Sequence, residues 1–353
     1  MKILHTSDVH LKQVGDERWN ALKSVVNLGQ FEQIDAMIIS GDLFNKNLDA
    51  ENIRDEIRPI FSDNGFDILI IPGNHDKEAF EQGYFYGADV KIINDLDQPI
   101  EYDDTVVWGL PFEPLSGTAI LNKLRAIKEN LNPHKTNILL FHGELLDAFF
   151  AKDAFGKEGS ERYMPVKRSY FADLGFDYVL AGHFHSNFDI WNLDPSGYFV
   201  YCGSPVSITK KETGKRYVNL FETGYPPNKH EIVSFYYERL HVLLDPFETC
   251  LPREKLQEEL QKIDPNARVL LEIGGYVNCQ ALSTDESTLI SELRSLAEHS
   301  CEEINPSLKD VSRVWEDDLF KKYQEKLSQL DLDEDQKAIM TEDVIKAFFE
   351  LMG

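Results

Sequence analysis

Short apolar runs recur through the first two hundred positions, and several stop abruptly at polar residues. Met37-Ile38-Ile39, Ile68-Leu69-Ile70-Ile71, Ile138-Leu139-Leu140-Phe141 and Val179-Leu180-Ala181 are such runs, and the chain opens on another, Ile3-Leu4. Their length and their polar boundaries predict strands. Between them lie stretches with helical spacing. Residues 19–30 place Ala21, Leu22, Val25, Val26 and Leu28 on one side, and residues 49–62 and 115–129 predict two more helices. This alternation implies a layered α/β core. Asp103-Asp104 divides two short runs as a hairpin turn does, and residues 144–167 lack periodicity and predict a long loop. Extended pieces at 188–192, 198–202, 217–222 and 231–237 predict a second sheet that completes a sandwich. Beyond 238 the pattern changes to strand, helix (252–263), strand (267–276) and helix (284–299), a small α+β module. Two final helical patterns in 315–352 are joined by the acidic turn 331–335. The expected domains are 1–237, 238–310 and 311–353.

Composition narrows the picture. The 353 residues carry a formal charge of -25, and in 237–353 acids outnumber bases two to one. That sign opposes an ordinary nucleic-acid binder, which displaces counterions with Lys and Arg. Bases do cluster locally, at Lys152, Lys157, Arg162, Lys167 and Arg168, and at Lys210, Lys211, Lys215 and Arg216, so a local basic rim is compatible with the global sign. No segment has the length and apolarity of a membrane helix, and the first residues resemble neither a signal peptide nor an anchor. Cys202, Cys250, Cys279 and Cys301 are dispersed without metal-ligand or disulfide spacing, which favours free thiols in a reducing compartment. A cytoplasmic location is expected.

The chemistry lies where the apolar runs end. Asp8 and His10 follow the first, Asp42 the second, Asn74 the third, His142 the fourth, and His183 and His185 the fifth. Each motif alone has a bland explanation: Gly73-Asn74-His75-Asp76 suits a β-turn, and isolated histidines are commonly surface residues. All five, in order and each after a strand, imply one polar pocket at the carboxyl ends of a sheet. Carboxylate and amide oxygens mixed with imidazoles suit Mn²⁺, Fe²⁺ or Zn²⁺ better than Mg²⁺. Seven ligands exceed the need of one tetrahedral ion and fit two ions bridged by a carboxylate, for which Asp42 is the natural choice. His75 is placed to protonate a leaving group, with Asp76 a candidate to orient its ring. His5, inside the first strand, is expected to be a buried core histidine.

Together these motifs resemble the calcineurin-like metallophosphoesterases, whose signature is D-x-H, G-D, G-N-H-D/E, a lone H and G-H-x-H. The resemblance covers roughly residues 1–205. It implies a two-sheet α/β sandwich flanked by helices, with Asp8, His10 and His185 on one metal, Asn74, His142 and His183 on the other, Asp42 shared and His75 catalytic. The stretch His5-Thr6-Ser7-Asp8-Val9-His10-Leu11, the Gly41-Asp42-Leu43-Phe44 motif, and Tyr201-Cys202-Gly203-Ser204-Pro205 followed by 210–214 are similar to nuclease subunits of the SbcCD type. Asn45-Lys46 departs from the Asp-Arg of the protein phosphatases. That similarity implies a Mn²⁺-dependent DNA exonuclease and endonuclease active in double-strand-break repair or end processing. A small capping domain, C-terminal helices that dock on an ABC-type ATPase, and a homodimer belong to the same implication. DNA contacts are then expected at Lys12, Arg18, Lys157, Arg162, Lys210 and Lys211. The alternative is a phosphodiesterase or phosphatase for a small ester, which an acidic surface does not disfavour.

Overall fold

A computed structural model describes residues 1–81, 83–147, 163–246, 250–312, 314 and 317–352. Lys157 and Arg162 lie outside the described residues. The chain divides into two compact units, Met1–Tyr237 and Glu238–Gly353.

The first unit is built on two six-stranded sheets. One has the order β12-β11-β1-β2-β3-β4, from β1 (Lys2–Thr6), β2 (Ala36–Ser40), β3 (Asp67–Ile71), β4 (Val90–Ile92), β11 (Tyr217–Glu222) and β12 (Lys229–Glu231). The other has the order β5-β6-β7-β8-β10-β9, from β5 (Ile100–Glu101), β6 (Thr105–Leu110), β7 (Thr136–His142), β8 (Tyr178–Gly182), β9 (Asp189–Asn192) and β10 (Tyr198–Tyr201). Strands β1 to β4 run parallel, as do β6, β7, β8 and β10, while β11, β12, β5 and β9 add antiparallel edges.

Alternation along the central strands assigns each side chain to a layer. Ile3, Ile38, Leu69 and Ile71 meet Val107, Ile138, Leu140, Leu180 and Val200 between the sheets. Leu4, Met37, Ile39, Ile68 and Ile70 face outward, under Leu22, Val25 and Val26 of α1 (Glu17–Glu32) and Ile53 and Ile57 of α2 (Asn47–Ile57). Leu139, Phe141 and Val179 face the opposite way, toward Ile120, Leu124 and Ile127 of α4 (Gly117–Lys128). Both faces of every central strand are thus covered, which is why these runs are almost wholly apolar. A one-turn helix, α3 (Lys77–Glu81), follows the β3 loop. Asp16 caps α1 by accepting the Trp19 amide at 2.8 Å.

The second unit has a three-stranded sheet in the order β13-β14-β15, from β13 (Tyr236–Leu244), β14 (Ala267–Val277) and β15 (Cys301–Asp310). Its core joins Val242, Leu244, Val269, Leu271 and Ile273 to Leu256 of α5 (Pro252–Leu260) and Leu289 and Leu293 of α6 (Glu286–Ala297). Two further helices, α7 (Asp318–Ser328) and α8 (Glu334–Met352), bring Phe320 and Ile345 into a small cluster with Val311 and Val314. No described helix is long and apolar enough to cross a membrane.

The structure departs from the sequence expectation at two strands. The single strand expected over 231–237 is divided: β12 ends at Glu231, and β13 starts at Tyr236 and continues across the boundary between the units. β15 was not expected, because only Leu308 of its ten residues is buried. It is an edge strand, and such a position tolerates both its acids and Pro306.

Candidate metal centre

Asp8 and His10 follow β1, Asp42 follows β2, Asn74 and His75 follow β3, His142 ends β7, and His183 and His185 follow β8. The turns that carry them are sharp. Asp8, His10, Asp42 and His183 all have positive φ, at 55, 53, 52 and 111°. Non-glycine residues rarely adopt this region, and such backbone clusters at functional sites where the surroundings hold it. Here the Asp8 and His10 amides donate to the carbonyls of Gly41 and Asp42 at 3.1 and 3.0 Å, and the His183 amide donates to both Asp8 oxygens at 3.1 and 2.9 Å. Gly41 leaves room that no other residue could: a Cβ there would sit 2.1 Å from His142 Nδ1.

Three groupings of donor atoms lie within 4.8 Å of one another: Asp8, His10 and His185; His10, Asp42 and His75; and Asp8, Asp42 and His142. Asp42 is common to two of them. Its Oδ2 lies 3.7 Å from His10 Nε2 and 3.4 Å from His142 Nε2, and its Oδ1 accepts the His75 amide at 3.0 Å. Asn74 Oδ1 is 3.0 Å from His142 Nε2. His183 stands with its ring centroid 5.6 Å from that of His142 and 5.1 Å from that of Tyr163.

The donor set calls for positive charge at its centre. His142 Nδ1 faces the Ser40 carbonyl at 2.8 Å, which fixes it as the protonated nitrogen and leaves Nε2 a lone pair. That lone pair points at Asn74 Oδ1 and Asp42 Oδ2, both acceptors. Nε2 of His185, whose Nδ1 faces Glu212, lies 3.2 Å from His10 Nε2. Acceptors converging on a buried point require positive charge there. Protein protons alone place that charge on His142: burial pulls its imidazole down, but Asp42 more than offsets this and pushes it up to about 10. Burial pushes the Asp42 carboxyl up, yet His142 and His10 hold it well below the usual range. Asp8, His10, Asp42, Asn74, His142, His183 and His185 fit divalent cations in the number and type of their donors.

Other expected residues have different surroundings. Asp76 does not orient the His75 ring. Its Oδ1 accepts the Gly73 amide at 2.8 Å and its Oδ2 the Phe44 amide at 3.1 Å, so it ties the Asn74 loop to the Asp42 loop. Burial, with Asp42 nearby, pushes this carboxyl up to about 7 against those two amides. His75 Nδ1 lies instead 3.2 Å from the Asn45 carbonyl. Arg18 is half-buried and turned inward, with Nη1 donating to the His10 carbonyl at 2.6 Å and to Asn45 Oδ1 at 3.3 Å. Arg216 is buried and donates to the Ser204 and His185 carbonyls, so it does not contribute to a basic rim. Lys12 and Lys211 are exposed and Lys210 half-buried. His5 is fully buried, as expected, but its Nδ1 has no hydrogen-bond partner.

Sequence reasoning missed Glu212. It is 3% exposed, and its Oε1 lies 3.3 Å from His185 Nδ1. Burial pushes its carboxyl up, but the bond to His185 and the Ile208 amide hold it below the usual range. The only signal was one acid inside a basic run, which ordinarily marks a solvated turn.

A family model described as calcineurin-like phosphoesterase matches residues 1–187. The chain is 25% identical over 249 residues to a subunit of the nuclease SbcCD from Staphylococcus epidermidis, an alignment covering 61% of this chain and 64% of that protein. The match therefore spans somewhat under two thirds of the relative's length. Among solved structures, TT1561 of Thermus thermophilus matches at a TM-score of 0.41 and 16% identity, covering 62% of this chain and 93% of that one. GAP50, the anchor in the inner membrane complex of Plasmodium, matches at 0.39 and 10% identity, covering 76% and 96%.

Proposed function

Because the chain belongs to the calcineurin-like phosphoesterases, whose family model spans more than half of its length, we propose that it hydrolyses phosphodiester bonds in DNA, with two divalent ions, Mn²⁺ foremost, in the strand-end cluster. The observation that carries this reading is the convergence of carboxylate, amide and imidazole acceptors on one buried point from five separate strands. Asp8, His10 and His185 would hold one ion and Asn74, His142 and His183 the other, with Asp42 between them. Two such ions supply Lewis acidity that activates a water and polarises the phosphoryl oxygen.

The protein's own groups do the rest. The Ser40 carbonyl keeps the His142 proton on Nδ1 and its lone pair inward. His75, anchored at Nδ1 by the Asn45 carbonyl, presents Nε2 to the leaving oxygen and gives it a proton. Asp76 fixes the spacing between the loops that bear Asp42 and Asn74.

The likeness to a component of a nuclease supports DNA as substrate and an ATPase subunit as partner; double-strand-break repair or end processing as the setting, and a second copy of the chain as partner, belong to the same proposal. Under this reading the second unit caps the substrate, and α7 and α8 engage the ATPase. The expected location is the cytoplasm. A small phosphate ester is the second reading, favoured by the -25 charge and by the inward turn of Arg18.

The test is hydrolysis of end-labelled duplex DNA, single-stranded DNA and bis-p-nitrophenyl phosphate in Mn²⁺, with Asp42→Ala as the control. DNA cleavage that vanishes in the control is the expected result. Cleavage of the small ester alone, even with the ATPase present, would overturn the nuclease reading in favour of the second.

A further inference from the structure

The turn after β10 surrounds one ligand of the proposed metal centre from three directions. The Ser204 amide donates to the His185 carbonyl at 3.0 Å, the Arg216 guanidinium donates to that same carbonyl, and Glu212 meets the ring at Nδ1. Ser204 Oγ reaches across to the Asp8 carbonyl at 2.8 Å, so the turn also fixes the backbone of a second ligand of the same trio. Gly203 has φ +73° and sits so close that a Cβ there would be 3.0 Å from the His185 carbonyl oxygen.

Glu212 is held as firmly as the ring it holds. Its Oε2 accepts the Ile208 amide at 2.7 Å, its Oε1 accepts Thr209 Oγ1 at 3.1 Å, and its carbonyl accepts Ser207 Oγ at 2.6 Å. Ser207 is in turn anchored by the Tyr237 amide at 3.2 Å. The carboxylate therefore cannot swing away without breaking the turn.

The contrast with the neighbouring rings gives this arrangement its meaning. His142 and His75 rest their Nδ1 atoms on neutral backbone carbonyls, of Ser40 and Asn45. His185 rests on a buried carboxylate. A carboxylate behind an imidazole fixes the Nδ1–H tautomer and raises the basicity of Nε2, and loss of such a partner typically weakens metal affinity by about 10- to 100-fold.

We infer that Glu212 is a positioning residue for the Asp8–His10–His185 site: it fixes His185 with Nε2 toward the ion and makes this the tighter of the two sites. The inference rests on the two-ion reading proposed above. Glu212 touches neither substrate nor ion and acts only through the imidazole.

The test is calorimetric titration of the full chain, stripped of metal, with Mn²⁺, for the wild type, Glu212→Gln and Glu212→Ala. Thermal unfolding of each stripped protein reports on folding. Glu212→Gln keeps size and an acceptor while removing the charge. The expected result is two sites in the wild type, with the tighter weakened by roughly 10- to 100-fold in Glu212→Gln and the weaker unchanged. Long-range ¹H–¹⁵N spectra of the stripped wild type should show His185 protonated at Nδ1. Two sites of unchanged affinity in a folded Glu212→Gln, or a His185 protonated at Nε2, would overturn the inference while leaving the metal centre standing. A wild type that binds no Mn²⁺ would overturn the two-ion reading and this inference with it.

Discussion

His75 differs from the metal-ligand candidate His142 in what its ring faces, not in how it is anchored. His142 is fixed against Ser40 and aimed at Asp42 and Asn74, whereas the His75 ring hangs from the Asn45 carbonyl at the edge of the cluster, 4.9 Å from the His10 ring centroid. His75→Ala should therefore lower kcat by roughly 10²- to 10⁴-fold, the range for a lost general acid, while Mn²⁺ still binds. Turnover that survives together with a lost metal site would instead make His75 a ligand. His5 presents the opposite case, a histidine with no access to chemistry. Burial pulls its imidazole down to about 3 from an ordinary 6.5. Because the folded value is depressed, the unfolded chain binds the proton first. The stability from a neutral His5 is complete above pH 6.5 and is lost as pH falls toward 3, by about 1.4 kcal/mol per unit in that window. Melting temperatures of wild type and His5→Asn between pH 7 and 4 check this: the variant's curve should be the flatter, and parallel curves would refute the assignment.

The secondary-structure elements explain why some of the molecule was legible in sequence and some was not. Strands β1, β2, β3, β7 and β8 are covered on both faces, so their apolar runs are nearly continuous, and each stops where the chain meets the polar pocket. The candidate ligands at those stops stood out in the sequence for the same reason. β15 was not, because an edge strand with one buried residue has no apolar signal. Glu212 was hidden because its role depends on a turn folding back over His185, a contact separated by 27 residues. Helix α1 carries a residue whose surroundings the sequence pattern did not foretell. Arg18 on its first turn looked like a phosphate contact, yet its Nη1 joins the His10 carbonyl to the Asn45 side chain, and Asn45 in turn holds His75. Arg18→Ala should thus act on catalysis more than on binding. We expect kcat on bis-p-nitrophenyl phosphate to drop roughly tenfold, the scale of one hydrogen bond to a charged group, with KM nearly unchanged. A raised KM for DNA with normal kcat would return Arg18 to the role of a phosphate contact.

At the scale of the whole molecule, charge decides how a phosphoesterase of this composition could act on DNA. A net charge of -25 repels a polyanion, but at 0.1 M salt that repulsion is screened beyond the Debye length of about 10 Å, whereas contacts inside the site act within a few ångströms. Among the described residues, the cations expected at DNA are few: Lys12 and Lys211 are exposed and Lys210 is half-buried. Each phosphate neutralised contributes about -0.9 to the slope of log K against log salt on duplex DNA. Three such contacts would give a slope near -3, Lys157 and Arg162, outside the described residues, would extend it to about -4.5, and repulsion from the rest of the surface, relieved by the same salt, must make it shallower. Affinity of this chain for duplex DNA, measured by fluorescence anisotropy from 50 to 300 mM KCl, should therefore fall with a slope of magnitude no greater than about 4.5. Hydrolysis of bis-p-nitrophenyl phosphate, with a single negative charge, should change little over that range. A slope steeper than about -5 would mean that the chain engages DNA through a basic surface well beyond these lysines. A shallow slope would point to the proposed ATPase partner as the source of DNA affinity, with the acidic chain contributing mainly the metal centre.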